Sequence, residues 1–173
     1  MVGDKIDIVE GYITRFTVDA IVNATNNRLL GGGGVDGAIH RLACPGLLEE
    51  CCTLGGYDTG EVKITQGYRL PAKYVIHAVG PVWQGDDRGE PDLLRAYYRN
   101  SLDFARKHGL VSIAFPSIST GSYGSSFEET TRIALKETKT NLERRTTLEQ
   151  VIFACYPPEN ATSYRKLYAE IFS

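Results

Sequence analysis

Asp19-Ala-Ile-Val-Asn-Ala-Thr-Asn-Asn-Arg-Leu-Leu-Gly-Gly-Gly-Gly-Val-Asp-Gly-Ala-Ile-His-Arg-Leu-Ala43 decides the architecture. Residues 19–24 form a short apolar run of the kind buried inside a parallel sheet. The glycines at 31–34 interrupt it, and Val35–Ala43 then resumes at helical period. Strand, small-residue loop and helix in that order make the repeating unit of an α/β sheet. Pro116-Ser-Ile-Ser-Thr-Gly-Ser-Tyr-Gly124 repeats the design. Val111–Phe115 is the strand before it. Glu128–Arg145 is the helix after it, with acids early and Arg144 and Arg145 late, as the helix dipole favours.

The rest of the chain keeps the same grammar. Lys5–Glu10 alternates polar and apolar, as an edge or half-buried strand does. Glu61–Gln66 and Lys73–Val79 read as strands joined through a turn at Gly67 and Pro71. Pro91 stands where a helix begins, and Leu93, Leu94, Tyr97, Tyr98, Leu102 and Ala105 continue an apolar stripe to Lys107 before Gly109 ends it. Val151–Tyr156 is a last buried strand and Glu159–Ile171 a last helix. Strands and helices mix along the whole length, with no linker, repeat or low-complexity tract. The expectation is one α/β domain over residues 1–173, with helices on both faces of a largely parallel sheet.

Composition narrows the function. The 173 residues are 42% hydrophobic and 23% charged, a globular balance. A net charge of −2 gives no general attraction for nucleic acid or an anionic membrane. An anionic ligand must therefore be held by local dipoles and amides. No apolar run nears the ~20 residues that span a bilayer, and Met1–Glu10 does not read as a signal peptide. Of Cys44, Cys51, Cys52 and Cys155, only two adjoin, which is no metal-ligand spacing. Free thiols in a cytoplasmic setting are expected, with no metal and no cofactor.

The two loops carry the chemistry. In open α/β sheets, ligands bind beyond the carboxyl ends of the strands. Glycine admits close backbone approach, and successive N–H groups at a helix start make an anion-binding concavity. One such loop is compatible with a plain turn; two point to a ligand with phosphates and more than one part to be held. There is no G-x4-G-K-[ST] phosphate loop. Gly32–Gly37 matches G-x-G-x-x-G only because four glycines adjoin. The strand with a terminal acid that a dinucleotide fold needs ~20 residues later is absent, since Cys51–Gly56 is no strand. An oxidoreductase is thereby disfavoured. The serines lack a nucleophile elbow and the cysteines lack an evident partner base.

Asn26-x6-Gly33-Gly34-Val35-Asp36 together with Gly121-Ser122-Tyr123-Gly124 resembles the paired signature of MacroD-type macrodomains. Val18–Ala24, Gly37–Arg41, Leu70–Lys73, His77–Trp83 and Phe115–Gly121 are similar as well, so the resemblance runs from about Ile6 to Leu167. It implies a three-layer α/β/α fold around a mixed, largely parallel six-stranded sheet. It also implies binding of ADP-ribose and hydrolysis of ADP-ribosyl esters: removal of ADP-ribose from acidic side chains, or deacetylation of O-acetyl-ADP-ribose. The implied partners are ADP-ribose and its esters, free or on a mono-ADP-ribosylated protein.

Residue roles follow from the same resemblance. Asn26 falls at the distal ribose, and Asp36 is the acid that orients or activates water near the anomeric carbon. An Asn also caps turns and an Asp also caps helices; their ten-residue spacing favours the functional roles. His40 lies four residues on, on the same helical face as Asp36, and either assists it or packs. Gly33, Gly34 and Val35 belong to the first cradle. Ser119, Thr120, Gly121, Ser122 and Tyr123 wrap the diphosphate with backbone N–H groups, and Tyr123 is also placed to cover the distal ribose. Tyr12 and Ile13 border the base, and Tyr156 either flanks adenine or sits at the core edge. Asn23 reads as structural, bonding loop backbone, with contact to ribose as the alternative; His77 reads as a satisfied core residue and His108 as solvated.

Tyr12 departs from the family. Related chains read Gly-Asp-Ile-Thr where this one has Gly11-Tyr12-Ile13-Thr14, and that Asp accepts a hydrogen bond from the adenine amino group. Losing a charged hydrogen bond costs ~1.5–3 kcal/mol, while stacking a base on an aromatic ring returns ~1–3 kcal/mol. These magnitudes overlap, so weaker, equal or altered base binding all stay open. The expectation is that diphosphate and distal ribose dominate and that base selectivity loosens. The alternative is a binding module with little or no turnover.

Overall fold

The computed structural model describes residues 2–25, 39, 62–79, 90–117, 127–144, 146–156 and 158–172. Among the described residues there are six strands: β1 (Ile6–Glu10), β2 (Ala20–Thr25), β3 (Val62–Gln66), β4 (Tyr74–Val79), β5 (Ser112–Pro116) and β6 (Gln150–Cys155). They form one sheet in the order β1-β6-β5-β2-β4-β3. Every neighbouring pair is parallel except β3–β4, so the sheet is mixed with one antiparallel edge strand. Three helices have both ends within the described residues: α1 (Glu90–Lys107), α2 (Phe127–Leu142) and α3 (Asn160–Ile171).

Side chains alternate along each strand between two apolar clusters, as the two-residue period of a strand requires. Val22, Ile76, Ile113, Phe115, Val151 and Phe153 join one cluster with the inner faces of α1, α2 and α3. Their intervening neighbours Ile21, Val75, Ala114, Ile152 and Ala154 join the other. That second face is covered by Ile13, Val18, Leu70 and Ala72, and by Ile39, which is helical and fully buried. Both faces are thus covered, which gives three layers and explains why the central strands β2, β5 and β6 read as apolar runs.

The predicted stripe on α1 is the packed one. Leu94, Tyr97, Tyr98, Leu102 and Ala105 are all fully buried, while the Leu93 side chain lies outside the described residues. Gly109 ends α1 in the left-handed region (φ 68°), and the Leu110 N–H donates to the Ala105 carbonyl. One boundary differs by more than a residue. α2 stops at Leu142, not at Arg145. The Arg144 N–H closes a tighter turn on the Asn141 carbonyl at 3.1 Å, and the β-branched pair Thr146-Thr147 follows. The Thr147 hydroxyl donates to the Leu110 carbonyl at 2.8 Å instead of extending the helix. Among the described residues, no helix is long and apolar enough to cross a membrane.

At the amino edge, Asp19 joins β2 to β5. Its carboxylate accepts the Val111 N–H at 2.7 Å and the Ser112 N–H at 3.3 Å, and its own N–H donates to the Ser112 hydroxyl at 2.9 Å. Lys73 adds an ion pair at 3.5 Å. The Val111 N–H above all holds the Asp19 carboxyl below its ordinary range. Such a group stabilises the fold above its unfolded pKa, and that contribution disappears as pH falls through the folded one. Asp19→Asn should therefore lower stability at pH 7, and the gap from the parent should shrink below about pH 4; urea melts at both pH values measure this. A gap independent of pH would refute it.

Phe115 lies at the centre of the first cluster, its ring 5.8 Å from that of Phe153 and 5.1 Å from that of Tyr98. Phe115→Ala should cost about 3–5 kcal/mol, the range for deleting a fully buried ring. A loss below about 1 kcal/mol in denaturant unfolding would contradict the packing described.

Candidate functional site

Parallel pairing sends the carboxyl ends of β1, β6, β5, β2 and β4 to a single edge of the sheet. Four of them hand the chain to a segment singled out above. After β1 come Gly11, Tyr12 and Ile13; after β6 comes Tyr156; after β2 comes the first glycine loop; after β5 comes the second. β2 and β5 are hydrogen-bonded neighbours, so both glycine loops leave the same edge from adjacent strands. Asn26, Gly33, Gly34, Val35, Asp36, His40, Ser119, Thr120, Gly121, Ser122 and Tyr123 lie outside the described residues. Their strand roots at Thr25 and Pro116 lie within them.

On the β1–β6 side the geometry is explicit. Glu10 pairs with Cys155, and one residue on the Gly11 N–H donates to the Cys155 carbonyl at 3.0 Å. Gly11 has φ 146°, a conformation that disfavours side chains, and it turns the chain out of β1. Tyr12 then lies over Tyr156, with ring centroids 4.0 Å apart and planes 29° from parallel. Both rings are exposed, at 41% and 49%. The Arg15 guanidinium carbon is 5.3 Å from the Tyr12 centroid. A side-chain hydrogen bond with Tyr156 holds the Tyr12 phenol above its usual pKa. Ile13, by contrast, turns its side chain into the second core cluster beneath, with 5% exposed.

Ser117 connects this aromatic pair to the root of the second glycine loop. Its N–H donates to the Ala154 carbonyl at 2.9 Å, extending the β5–β6 ladder by a residue. Its hydroxyl is 3.3 Å from the Tyr156 N–H, which donates to it, and 3.4 Å from the Tyr156 carbonyl. The Asn160 side-chain amide donates to the same hydroxyl at 3.1 Å. Asn160 escaped the sequence reading, although a polar residue at a helix start is a recognisable hydrogen-bonding position. Its partner, 43 residues away, is visible only in the fold.

Beneath the edge, a polar row crosses three strands. The Thr65 hydroxyl lies 2.8 Å from His77 Nε2, and the Asn23 amide nitrogen 3.3 Å from His77 Nδ1. All three side chains are essentially inaccessible to solvent. His77 is the bonded core histidine expected of an apolar strand, and Asn23 is structural through a side chain on the neighbouring strand. His108 is exposed; its ring stacks on Phe104 at 4.1 Å and lies 2.9 Å from the Phe104 carbonyl. Cys155 is buried, and burial pushes its thiol up to about 12, far from the thiolate a nucleophile needs.

Comparison with known proteins agrees with this geometry. A family model described as the Macro domain matches residues 22–134. A macro domain-containing protein of Methanosarcina mazei is 55% identical over 168 residues, covering 97% of this chain and 90% of its own. A protein of Citrobacter rodentium named O-acetyl-ADP-ribose deacetylase is 47% identical over 170 residues, covering 96% of each. The crystal structure of a Trypanosoma brucei macrodomain in complex with ADP-ribose superposes with a TM-score of 0.87 at 50% identity, over 94% of this chain and 68% of that one.

Proposed function

The chain belongs to the macro domain family, and on that premise we propose that it is a MacroD-type hydrolase of ADP-ribosyl esters. Its substrates are ADP-ribose esters of acidic side chains, or O-acetyl-ADP-ribose. The observation that carries this reading is the rooting of both glycine loops on adjacent parallel strands at one sheet edge. Two sets of backbone N–H groups starting so close together suit a diphosphate, whose charge the net −2 of the chain does not attract.

In this reading the amides of 33–35 and 119–123 hold the diphosphate, and Asn26 fixes the hydroxyls of the distal ribose. Asp36 orients and activates a water beside the ester, with His40 helping to position it. Water enters, the ester bond breaks, and ADP-ribose leaves from the freed acid. Binding energy from the diphosphate and ribose is used to hold the ester next to the carboxylate. No thiolate is required, in keeping with the buried Cys155.

A binding module without turnover is favoured by one feature, the tyrosine at position 12 with its ring stacked on Tyr156. A single assay separates the two. Incubation with a protein mono-ADP-ribosylated on glutamate should release free ADP-ribose, followed by chromatography. Asp36→Ala should lower kcat by about a hundredfold or more while leaving the Kd for ADP-ribose within about threefold. ADP-ribose binding with no release by the parent protein would support the module; an Asp36→Ala protein of full activity would refute the assigned role.

A further inference from the structure

The buried row Thr65–His77–Asn23 interrupts the second apolar face of the sheet, and the proposed reaction makes no use of it. Asn23 and His77 are register partners on β2 and β4. The Asn23 Nδ2 lies 3.3 Å from His77 Nδ1, and an amide nitrogen only donates, so Nδ1 holds the lone pair. The ring proton is then on Nε2, which donates to the Thr65 hydroxyl at 2.8 Å. The histidine is neutral, and one tautomer satisfies both neighbours.

Stability does not account for the row. Hydrogen bonds between buried neutral groups return little net stability, and apolar side chains of the same shape would pack as well. What hydrogen bonds add is direction, which β2 needs. Among the described residues, β4 accompanies β2 from Ala20 to Thr25, whereas the β5 ladder runs only through Ala20 and Ile21. The Ser117 N–H points to β6; the residue before it, whose N–H would face β2, is Pro116, which has none. The β2–β5 ladder thus ends short of the carboxyl edge, and β4 places the last part of β2. The Asn23–His77 bond ties those two strands just before β2 ends at Thr25, and Asn26 is the next residue.

We infer that His77 is a positioning residue for the distal-ribose end of the site: through Asn23 it fixes the carboxyl half of β2, and so the point from which Asn26 enters. The inference rests on the proposed contact of Asn26 with that ribose. The second glycine loop is rooted on β5, whose carboxyl end is held by β6, so its grip on a diphosphate does not pass through β2. Loss of the tie therefore penalises a ligand that has a distal ribose and spares one that lacks it.

Two substitutions divide the row. In His77→Asn the amide oxygen stands where Nδ1 stood and accepts from Asn23; in His77→Gln the amide nitrogen stands where Nε2 stood and donates to Thr65. Calorimetric titration of the full chain with ADP-ribose, and with ADP, which lacks the distal ribose, reads the difference. His77→Gln should weaken ADP-ribose by about tenfold and ADP by less than about threefold, while His77→Asn should keep both within about threefold of the parent. His77→Leu, which deletes both bonds and fills the space with apolar atoms, should repeat the His77→Gln result and decides the matter if that protein does not fold. A merely structural histidine predicts losses that follow the urea midpoint and fall on both ligands alike. Equal losses in His77→Asn and His77→Gln, or an ADP loss as large as the ADP-ribose loss, would overturn the inference. If the parent binds ADP-ribose but hydrolyses no ester, the hydrolase reading fails and these affinities still decide the role of His77. If the parent binds ADP-ribose no more tightly than ADP, the distal-ribose contact and the inference fall together.

Discussion

Parallel pairing of five strands is the constraint from which the site follows. A parallel strand must be re-entered from the same end as its neighbour, so every connection leaves from one edge. β1, β6, β5, β2 and β4 all obey this, and only β3 runs the other way, at the margin. The segments that follow the strands are consequently brought together whatever their separation in sequence. Tyr12 and Tyr156 meet although almost the whole chain lies between them, because β1 and β6 are hydrogen-bonded neighbours. The two glycine loops are rooted on neighbouring strands for the same reason, through β2 and β5.

This arrangement also resolves an electrostatic difficulty. A chain of net charge −2 whose sheet carries apolar clusters on both faces has no long-range means of attracting a diphosphate. Backbone N–H groups carry dipoles without net charge, and at strand-to-helix turns they point outward unpaired. Packing supports this edge from below. The fully buried residues on both faces, and the bonded row Thr65–His77–Asn23, hold the strand ends in register. Asp19 does the equivalent at the opposite edge, where it clasps the starts of β2 and β5.

Much of this was legible in the sequence because it depends on local pattern. The apolar run 19–24, the stripe from Leu94 to Ala105 and the stop at Gly109 each encode their structure within a few residues. The end of α2 was less so: Arg144 and Arg145 suit a helix end, yet the Thr147 bond to Leu110 across the fold prevails. Contacts between distant segments carried no local signal. Tyr12 was visible as an unusual residue, but its partner was fixed by strand order alone. Asn160 was missed for the same reason, since its partner Ser117 belongs to another strand end. The catalytic assignments to Asn26, Asp36 and His40 come from the family resemblance that their motif carries, and they lie outside the described residues.

The central claim is that both glycine loops grip one pyrophosphate and so bring a carboxylate to the distal ribose. A crystal structure of this chain soaked with ADP-ribose tests it most directly. The account predicts both phosphates within hydrogen-bonding distance of amides from each loop, with the Asp36 carboxylate beside the distal ribose. A diphosphate touching only one loop, or a ribose remote from Asp36, would contradict it.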